Sequence, residues 1–435
     1  MAMKESGIEW VGLIPDDWKI AKNNRLFNIS KQLVNENWKN TQLLSLTKSG
    51  IIEKNINDGG GKQPESFGTY QYVEKDDIVL CLFDIDVSAV FSDRSKYDGM
   101  ISPAYRVMKC TDAILPVYAK WWFDAVNIGR YYLIYTKSLR KTIDADGFGN
   151  ILTVVTPLSE QETIADYLDE TCSKIDEIIA EAKASIEEYK ELKQSILFET
   201  MTRGIQSDRK YKTCDYEWLG KVPEDWSLMK ITHILDDNDS YPIGDGDHGL
   251  IKTDSYKSEG IPYIRVQNIG WGTPLLMDNV VYISKEDNER IKGSQLKPGD
   301  VLFVKTGATI GKTAIVPNNI PISNTTSHVG KITVSKEHNS KYIFYLLSSF
   351  IGYKQFWDIA CMKATRPELS ISEIKQMKVL IPSTRDEEDE IVEYLDNKLP
   401  EYETLICIKE SLINDLEAYK KSLIYEVVTG KRRVV

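Results

Sequence analysis

The stretch Gly307-Ala308-Thr309-Ile310-Gly311-Lys312-Thr313 has the residue types of a phosphate-binding loop: glycines for close backbone approach, a lysine for charge, a hydroxyl for a metal. Its spacing does not fit. The nucleotide pattern needs four residues between the glycines and here there are three. The following Ala314-Ile315-Val316-Pro317 reads as strand, not as the helix whose N-terminus would meet a phosphate. A Gly-rich turn whose lysine lies along a nucleic-acid backbone explains these residues better. Gly244-Asp245-Gly246-Asp247-His248-Gly249 spells a dinucleotide fingerprint, but no strand precedes it, no helix follows, and two aspartates would face the pyrophosphate. It also lacks the Asx spacing of a calcium loop. Pro15-Asp16-Asp17-Trp18-Lys19 faintly resembles a nuclease carboxylate-lysine set, but the acids are too close in sequence. A similar stretch further on has Ser227 at the lysine position, so a turn anchored by tryptophan is the simpler reading. There is no Asn-Pro-Pro-aromatic tetrapeptide, the usual adenine amino-methyltransferase site. His233, His248, His328 and His338 have no metal-ligand spacing. The sequence therefore predicts neither catalytic residues nor a metal site.

What remains suits the reading of nucleic acid. Polar and basic residues interleave with aromatics in two regions. The first holds Lys62, Gln63, Arg94, Lys96, Lys137, Arg140 and Lys141. The second holds His248, Lys252, Arg265, Gln267, Asn268, Lys305, Thr306, Gly307, Thr309, Lys312, Asn324, Thr325, Thr326 and His328. Arginine reads guanine, and asparagine or glutamine reads adenine, through paired hydrogen bonds in the major groove, while lysine and threonine hold phosphates. Taken singly, each such residue is more often a solvated surface group.

The elements that must position these residues are written twice. Glu9-Trp10-Val11-Gly12-Leu13-Ile14-Pro15-Asp16-Asp17-Trp18 recurs 208 residues on as Glu217-Trp218-Leu219-Gly220-Lys221-Val222-Pro223-Glu224-Asp225-Trp226. Asp77-Ile78-Val79-Leu80 answers Asp300-Val301-Leu302-Phe303 at an offset of 223, and Ile164-Ala165-Asp166-Tyr167-Leu168-Asp169 answers Ile391-Val392-Glu393-Tyr394-Leu395-Asp396 at 227. The growing offset means that the second copy has gained about 19 residues in its interior. Within the copies, Ile261 to Val266 and Asp300 to Lys305 read as strands, and Lys341 to Leu347 as a short buried helix.

Each copy ends in a long amphipathic segment. The first shows a 3-4 spacing through Ile164, Leu168, Ile175, Ile178, Tyr189, Leu192 and Ile196. The second shows it through Ile391, Leu395, Tyr402, Leu405, Leu412, Leu416, Tyr419 and Leu423, the signature of a coiled-coil seam. Ser159 with Glu162, and Thr384 with Glu387, are expected to cap the starts; Gly204 and Gly430 close the ends. Pro400 is expected to break the second helix near its start. One exposed seam is unstable in water and two matching ones are not, so the helices are predicted to pack antiparallel on each other, with a globular module at either end. The alternative is that each helix packs separately on its own module.

Length and composition agree with this. At 435 residues the chain exceeds one ordinary core, and 42% hydrophobic with 27% charged residues is globular. No apolar run approaches the ~20 residues of a membrane span, and Met1 to Trp18 holds no signal core. Six scattered cysteines speak against a disulfide framework, so a cytoplasmic location is expected. A net charge of -11 looks wrong for a DNA binder, but 12 Asp/Glu against 5 Lys/Arg fall in 157–204 and 13 against 8 in 382–435. The acidity belongs to the helices.

Together these features resemble the specificity subunit of type I restriction–modification systems, over nearly the whole chain. The resemblance rests on the doubled Glu-Trp-x-Gly-x-(Ile/Val)-Pro-(Asp/Glu)-Asp-Trp opener and on Pro157 to Glu162 leading into a long helix. It rests also on Lys297-Pro298-Gly299-Asp300 through Lys312 and on Asp98 to Tyr105. The second helix departs by opening Ser383-Thr384-Arg385-Asp386-Glu387-Glu388, without the Glu-Gln of the first.

The resemblance implies an α+β fold: two globular α/β target-recognition domains (1–156 and 206–381) joined by two spacer helices (157–205 and 382–435). The helices would form an antiparallel coiled coil with pseudo-two-fold symmetry. It implies a non-catalytic subunit on double-stranded DNA, reading a bipartite site with a fixed gap. It also implies two methyltransferase subunits and restriction/translocase subunits as partners, which would bind S-adenosylmethionine, ATP and magnesium, and it places Thr306 to Lys312 in or near the DNA interface. Two other readings stay open: a helical scaffold whose modules bind protein, and a methyltransferase of unfamiliar type.

Overall fold

The doubled sequence folds into a doubled set of elements. The computed structural model describes residues 2–30, 32–48, 50–56, 66–87, 91–136, 140–361 and 367–434. Two compact units result, Met1–Ala184 with Lys409–Val435, and Ser185–Ile408. The long helices, Leu158–Arg203 and Arg385–Val428, therefore each contribute to both.

In the first unit one antiparallel sheet runs Phe27–Ile29, Arg106–Cys110, Ile78–Leu80, Ser92–Arg94 in spatial order. The second runs Ile243–Gly244, Val329–Ile332, Val301–Val304, Thr313–Ile315, and adds Trp271–Pro274 at its edge. The strand expected over 300–305 is thus the buried centre of this sheet, between 329–332 and 313–315. Pro298-Gly299 turns into it because the Asp300 carboxylate accepts the Lys297 amide at 2.9 Å, as Asp77 accepts that of Glu74 at the same distance. Burial pushes both carboxyls above their ordinary range. The helix Ser340–Ser348 is buried as expected, and its Tyr342 hydroxyl donates to the Leu380 carbonyl at 2.8 Å. Tyr118 on Pro116–Ile128 does the same to Val154 in the first unit, at 3.2 Å.

The repeated tryptophans explain why the openers are kept. Trp18 is wholly buried and its indole donates to Glu160 at 2.9 Å; Trp226, equally buried, donates to Glu387 at 3.2 Å. An arginine closes each clamp. Arg433 pairs with Glu160 (2.9 Å) and Asp17 (3.4 Å), and Arg209 pairs with Glu387 and with Asp225 (2.8 Å). Each guanidinium lies over its indole, at 5.8 and 5.4 Å. The residues beside the glutamates act alike: Gln161 accepts the Leu115 amide (2.7 Å) and Glu388 that of Asn339 (2.6 Å), each supporting the helix that follows. The sequence departure at Glu388 brings in His338, whose Nδ1 lies 2.8 Å from that carboxylate.

Within both units the long helices pack antiparallel. Lys420 pairs with Asp176 in the first, and Lys193 with Glu403 in the second, where Tyr189 also meets Tyr402 at 6.4 Å. Seventeen residues forward on one helix, from Asp176 to Lys193, match seventeen back on the other, from Lys420 to Glu403. Adding 227 turns one ion pair into the other, so this contact is itself duplicated.

The seam needs correction in one column. Leu168, Ile175, Tyr189, Ile196, Leu395, Tyr402, Leu416 and Leu423 face inward as expected, and Ile164 and Ile391 are buried. However, Ile178, Leu192, Leu405, Leu412 and Tyr419 are exposed, and the buried residues are instead Cys172, Ile179, Ile186, Leu399 and Ile413, of which Ile179 and Ile413 stand one residue on from Ile178 and Leu412. Apolar residues stand at both phases, as at Ile178 and Ile179, so a 3-4 rule locks onto either; packing selects 4-3. Ile179→Ala is therefore expected to cost about 2–4 kcal/mol in urea unfolding and Ile178→Ala about 0.5 kcal/mol or less. Equal losses would refute this phase.

Two end signals also differ. Ser159 lies inside the first helix, whose first amides bond to the Pro157 carbonyl, because the equivalent of the capping Thr384 is Pro157 and not Ser159. Thr384 does accept the Glu387 amide, at 3.3 Å, but the Glu387 side chain turns to the clamp. Pro400 does not break its helix. It is exposed, so the hydrogen bond it cannot make is left to solvent, while Leu399 and Tyr402 hold the seam on either side. Gly204 and Gly430 end the helices at φ near +73° and +72°, where a side chain would be strained.

Candidate nucleic-acid interface

In the second unit, one buried carboxylate gathers residues far apart in sequence. Asp247 accepts the amides of Ile251 (2.7 Å), Gly249 (3.2 Å) and Ser327 (2.6 Å), tying the turn 246–251 to the turn 326–328. Gly246 fits because a Cβ there would fall 1.9 Å from the Thr326 carbonyl oxygen. His248 then projects outward in a left-handed backbone conformation (φ +53°), its ring 3.1 Å from Asp245. On the other turn His328 is exposed and shares a 2.7 Å hydrogen bond with Thr306. Burial and the adjacent Asp247 carboxylate push the Tyr263 phenol far up, so it stays protonated behind this arrangement.

Thr306 leads into the Gly-rich turn. The Lys305 ammonium is nearly buried, 3.4 Å from Glu368, and the Gly307 amide donates to Pro367 at 3.1 Å. Gly307 (φ +81°) faces open space, and Gly311 (φ +89°) brings the chain back, so that Lys312 donates its amide to Thr309. Strand Thr313–Ile315 follows, as the sequence implied. The Lys312 ammonium lies 5.9 Å from the ring of Trp271, which is half exposed. This turn therefore offers a cation, an exposed indole and a Cβ-free backbone, the groups that approach a nucleic-acid strand.

Several expected readers are not available. Asn268 is buried and its amide is spent on the Leu276 and Asp278 carbonyls; Asn324 is buried and donates to Asn288 and Ile291. Thr325 lies in the core beside it and Thr326 is nearly buried. Sequence shows the polar type but not the partners that consume it. Arg265 and Gln267 both donate to the Asn279 carbonyl, at 3.1 and 3.3 Å, and Arg265 lies over Tyr256; Gln267 and Lys252 are exposed. In the first unit Lys96, Arg140 and Lys141 are exposed, and Arg94 pairs with Asp76 at 3.2 Å. The Arg140 and Lys141 carbonyls accept the amides of Asp84 and Ile85. Lys62, Gln63 and Lys137 lie outside the described residues. Asp247 and Glu368 were missed; an aspartate followed by His-Gly is a turn signal that could have indicated the first.

Residues 223–418 match the family model for the type I restriction modification DNA specificity domain. Over 246 residues, 54% of this chain, the sequence is 28% identical to the type I restriction enzyme EcoBI specificity subunit of Escherichia coli. The chain is thus similar to type I restriction–modification specificity subunits. The match spans about half (49%) of that curated relative's length. The fold agrees with two solved structures. One, described as the structural basis of complex assembly and conformational transition of the type I R-M system, aligns with TM-score 0.71 at 13% identity, over 96% of this chain and 99% of that one. The other, the HsdS subunit from Thermoanaerobacter tengcongensis, aligns with TM-score 0.51 at 12% identity, over 96% and 98%. The matched specificity domain starts within the second opener and contains the whole cluster around Asp247 and Gly307. Among the described residues no helix is long and apolar enough to cross a membrane.

Proposed function

We propose that this chain is a type I restriction–modification specificity subunit and the non-catalytic DNA reader of its system. Each unit reads one half of a bipartite site, and the paired helices set an unread gap of fixed length. The duplication carries this reading: clamp, seam and interhelical ion pair are kept in both copies, whereas the strand Trp271–Pro274 and the cluster around Asp247 belong to the second. A kept frame with differing interiors suits one spacer and two readers. In this reading, His248, His328, Gln267 and Lys252 face base edges, and Lys312 with Gly307 holds the backbone. The helices also present a surface for two methyltransferase subunits, on the exposed apolar column beside the seam: Ile178, Leu412 and Tyr419 in one unit, Leu192 and Leu405 in the other. Restriction subunits complete the complex, and S-adenosylmethionine, ATP and magnesium are held by the partners.

The test is to sequence modified bases in cells that carry the assembled system. A bipartite motif is expected. Exchanging residues 206–381 for another module is expected to change one half of it only, and a continuous motif, or a change in both halves, would overturn the reading. Binding by the assembled complex is also expected to weaken steeply with salt, because phosphate contacts release counterions.

A further inference from the structure

The two copies differ at one matched place. Leu80 faces Arg106 across the first sheet as Phe303 faces Gly330 across the second. Three residues past the first of each pair and two before the second, the first unit has Phe83 and Ala104, and the second has Thr306 and His328. Phe83 lies against Tyr105, with ring centroids 5.9 Å apart, and Ala104 offers only a methyl group. In the second unit the Thr306 hydroxyl and His328 Nδ1 are 2.7 Å apart. The backbone that carries this ring is fixed as well. The His328 carbonyl accepts the Lys305 amide at 3.0 Å, and the buried Asp247 carboxylate accepts the Ser327 amide at 2.6 Å.

The side-chain hydrogen bond settles which ring nitrogen carries the proton. Thr306 is 8% exposed, and among the described residues its hydroxyl has no acceptor other than His328 Nδ1. If Nδ1 donated instead, the hydroxyl proton would be buried without a partner, which costs more than the bond returns. The hydroxyl therefore donates, Nδ1 accepts, and the ring proton sits on Nε2, the nitrogen turned away from Thr306 on an exposed side chain. An N–H held in that sense distinguishes base edges. Guanine turns two acceptors, O6 and N7, into the major groove, whereas adenine and cytosine set an amino group there that would meet the N–H donor to donor. We propose that His328 is a specificity-determining residue of the second unit, selecting guanine by donating from Nε2, and that Thr306 is the positioning residue that keeps it a donor. This rests on the DNA reading above. The first unit, with Phe83 and Ala104, has no polar side chain at the matched place.

The experiment uses cells carrying the assembled system and the half-site assigned to the second unit by the module exchange. It measures how far each single-base variant of that half-site is modified relative to the preferred site. In the unchanged protein one position is expected to require guanine. His328→Ala is expected to cut that preference by about five-fold or more against all three other bases, at that position alone. Thr306→Val removes the hydroxyl, lets Nε2 become an acceptor, and is expected to admit adenine or cytosine there by a similar factor. Thr306→Ser keeps the hydroxyl and is expected to retain guanine. The other half-site and the gap serve as the internal control and stay as they were. A bipartite motif with no guanine in that half, or one whose base preferences are the same in His328→Ala, overturns this inference and leaves the DNA reading standing. Equal behaviour of Thr306→Val and Thr306→Ser overturns the role of Thr306. No bipartite motif in the unchanged protein overturns the inference and the DNA reading together.

Discussion

Arg209→Met is expected to destabilise the second unit by about 3–5 kcal/mol, because it strands Glu387, whose side chain is 8% exposed, without its counter-charge. The cost is not the lost attraction alone. A carboxylate that stays ionised in so little water keeps only the Trp226 indole, at 3.2 Å, as donor within the clamp. Adding Glu387→Gln to Arg209→Met is therefore expected to recover most of the loss, since a neutral amide oxygen still accepts from the indole. The first unit supplies a control. Arg433 is 23% exposed against 8% for Arg209, so solvent reaches Glu160 when Arg433 is removed, and Arg433→Met is expected to cost less. Hydrogen exchange read unit by unit separates the two. Unchanged protection in 185–408 for Arg209→Met, or no recovery in the double variant, would count against the clamp as an electrostatic lock.

What could be read in the sequence was what the duplication preserved. Trp18 and Trp226 declared themselves because they recur within the opener, and the glutamates they bind, Glu160 and Glu387, share the 227 offset of the helices. The arginines did not. Arg209 sits in the linker after the first long helix, whereas Arg433 sits after the second and returns to the start of the chain. Nothing local marks either one. The seam was half legible for a different reason: periodicity fixes a stripe, but where apolar residues are adjacent, as at Ile178 and Ile179, only the facing helix decides which points in. The residues of the candidate interface were least legible. His248, Thr306 and His328 lie in separate segments and meet only through Asp247, whereas Asn324 has the same polar character and spends it inside the core on Asn288 and Ile291.

Inserting seven residues between Ala184 and Ser185, together with seven between Ile408 and Lys409, is expected to abolish modification at the native site and to create a site with a longer gap and unchanged halves. Seven is the required number. The inward-facing columns repeat every seven residues on both helices, through Leu168, Ile175 and Ala182 on one and from Leu395 to Tyr402 and Leu416 to Leu423 on the other, so a heptad returns each downstream residue to its own face. At ~1.5 Å per residue it adds roughly 10 Å to the pair, the rise of about three base pairs. Each added base pair also turns the far half-site by about 34°. The gap adopted is thus expected to lengthen by about one to three base pairs, whichever needs least torsion of helices and DNA. The two insertions must be made together because the helices run antiparallel: a heptad in one alone would pull Asp176 out of reach of Lys420, or Lys193 out of reach of Glu403. Three residues in both would instead rotate the seam away from its partner, and are expected to lower stability and abolish modification at any gap. Sequencing of modified bases reads both experiments. An unchanged gap after the paired heptads would show that something other than these helices measures the distance, and altered half-sites would show that the frame and the readers are not separable.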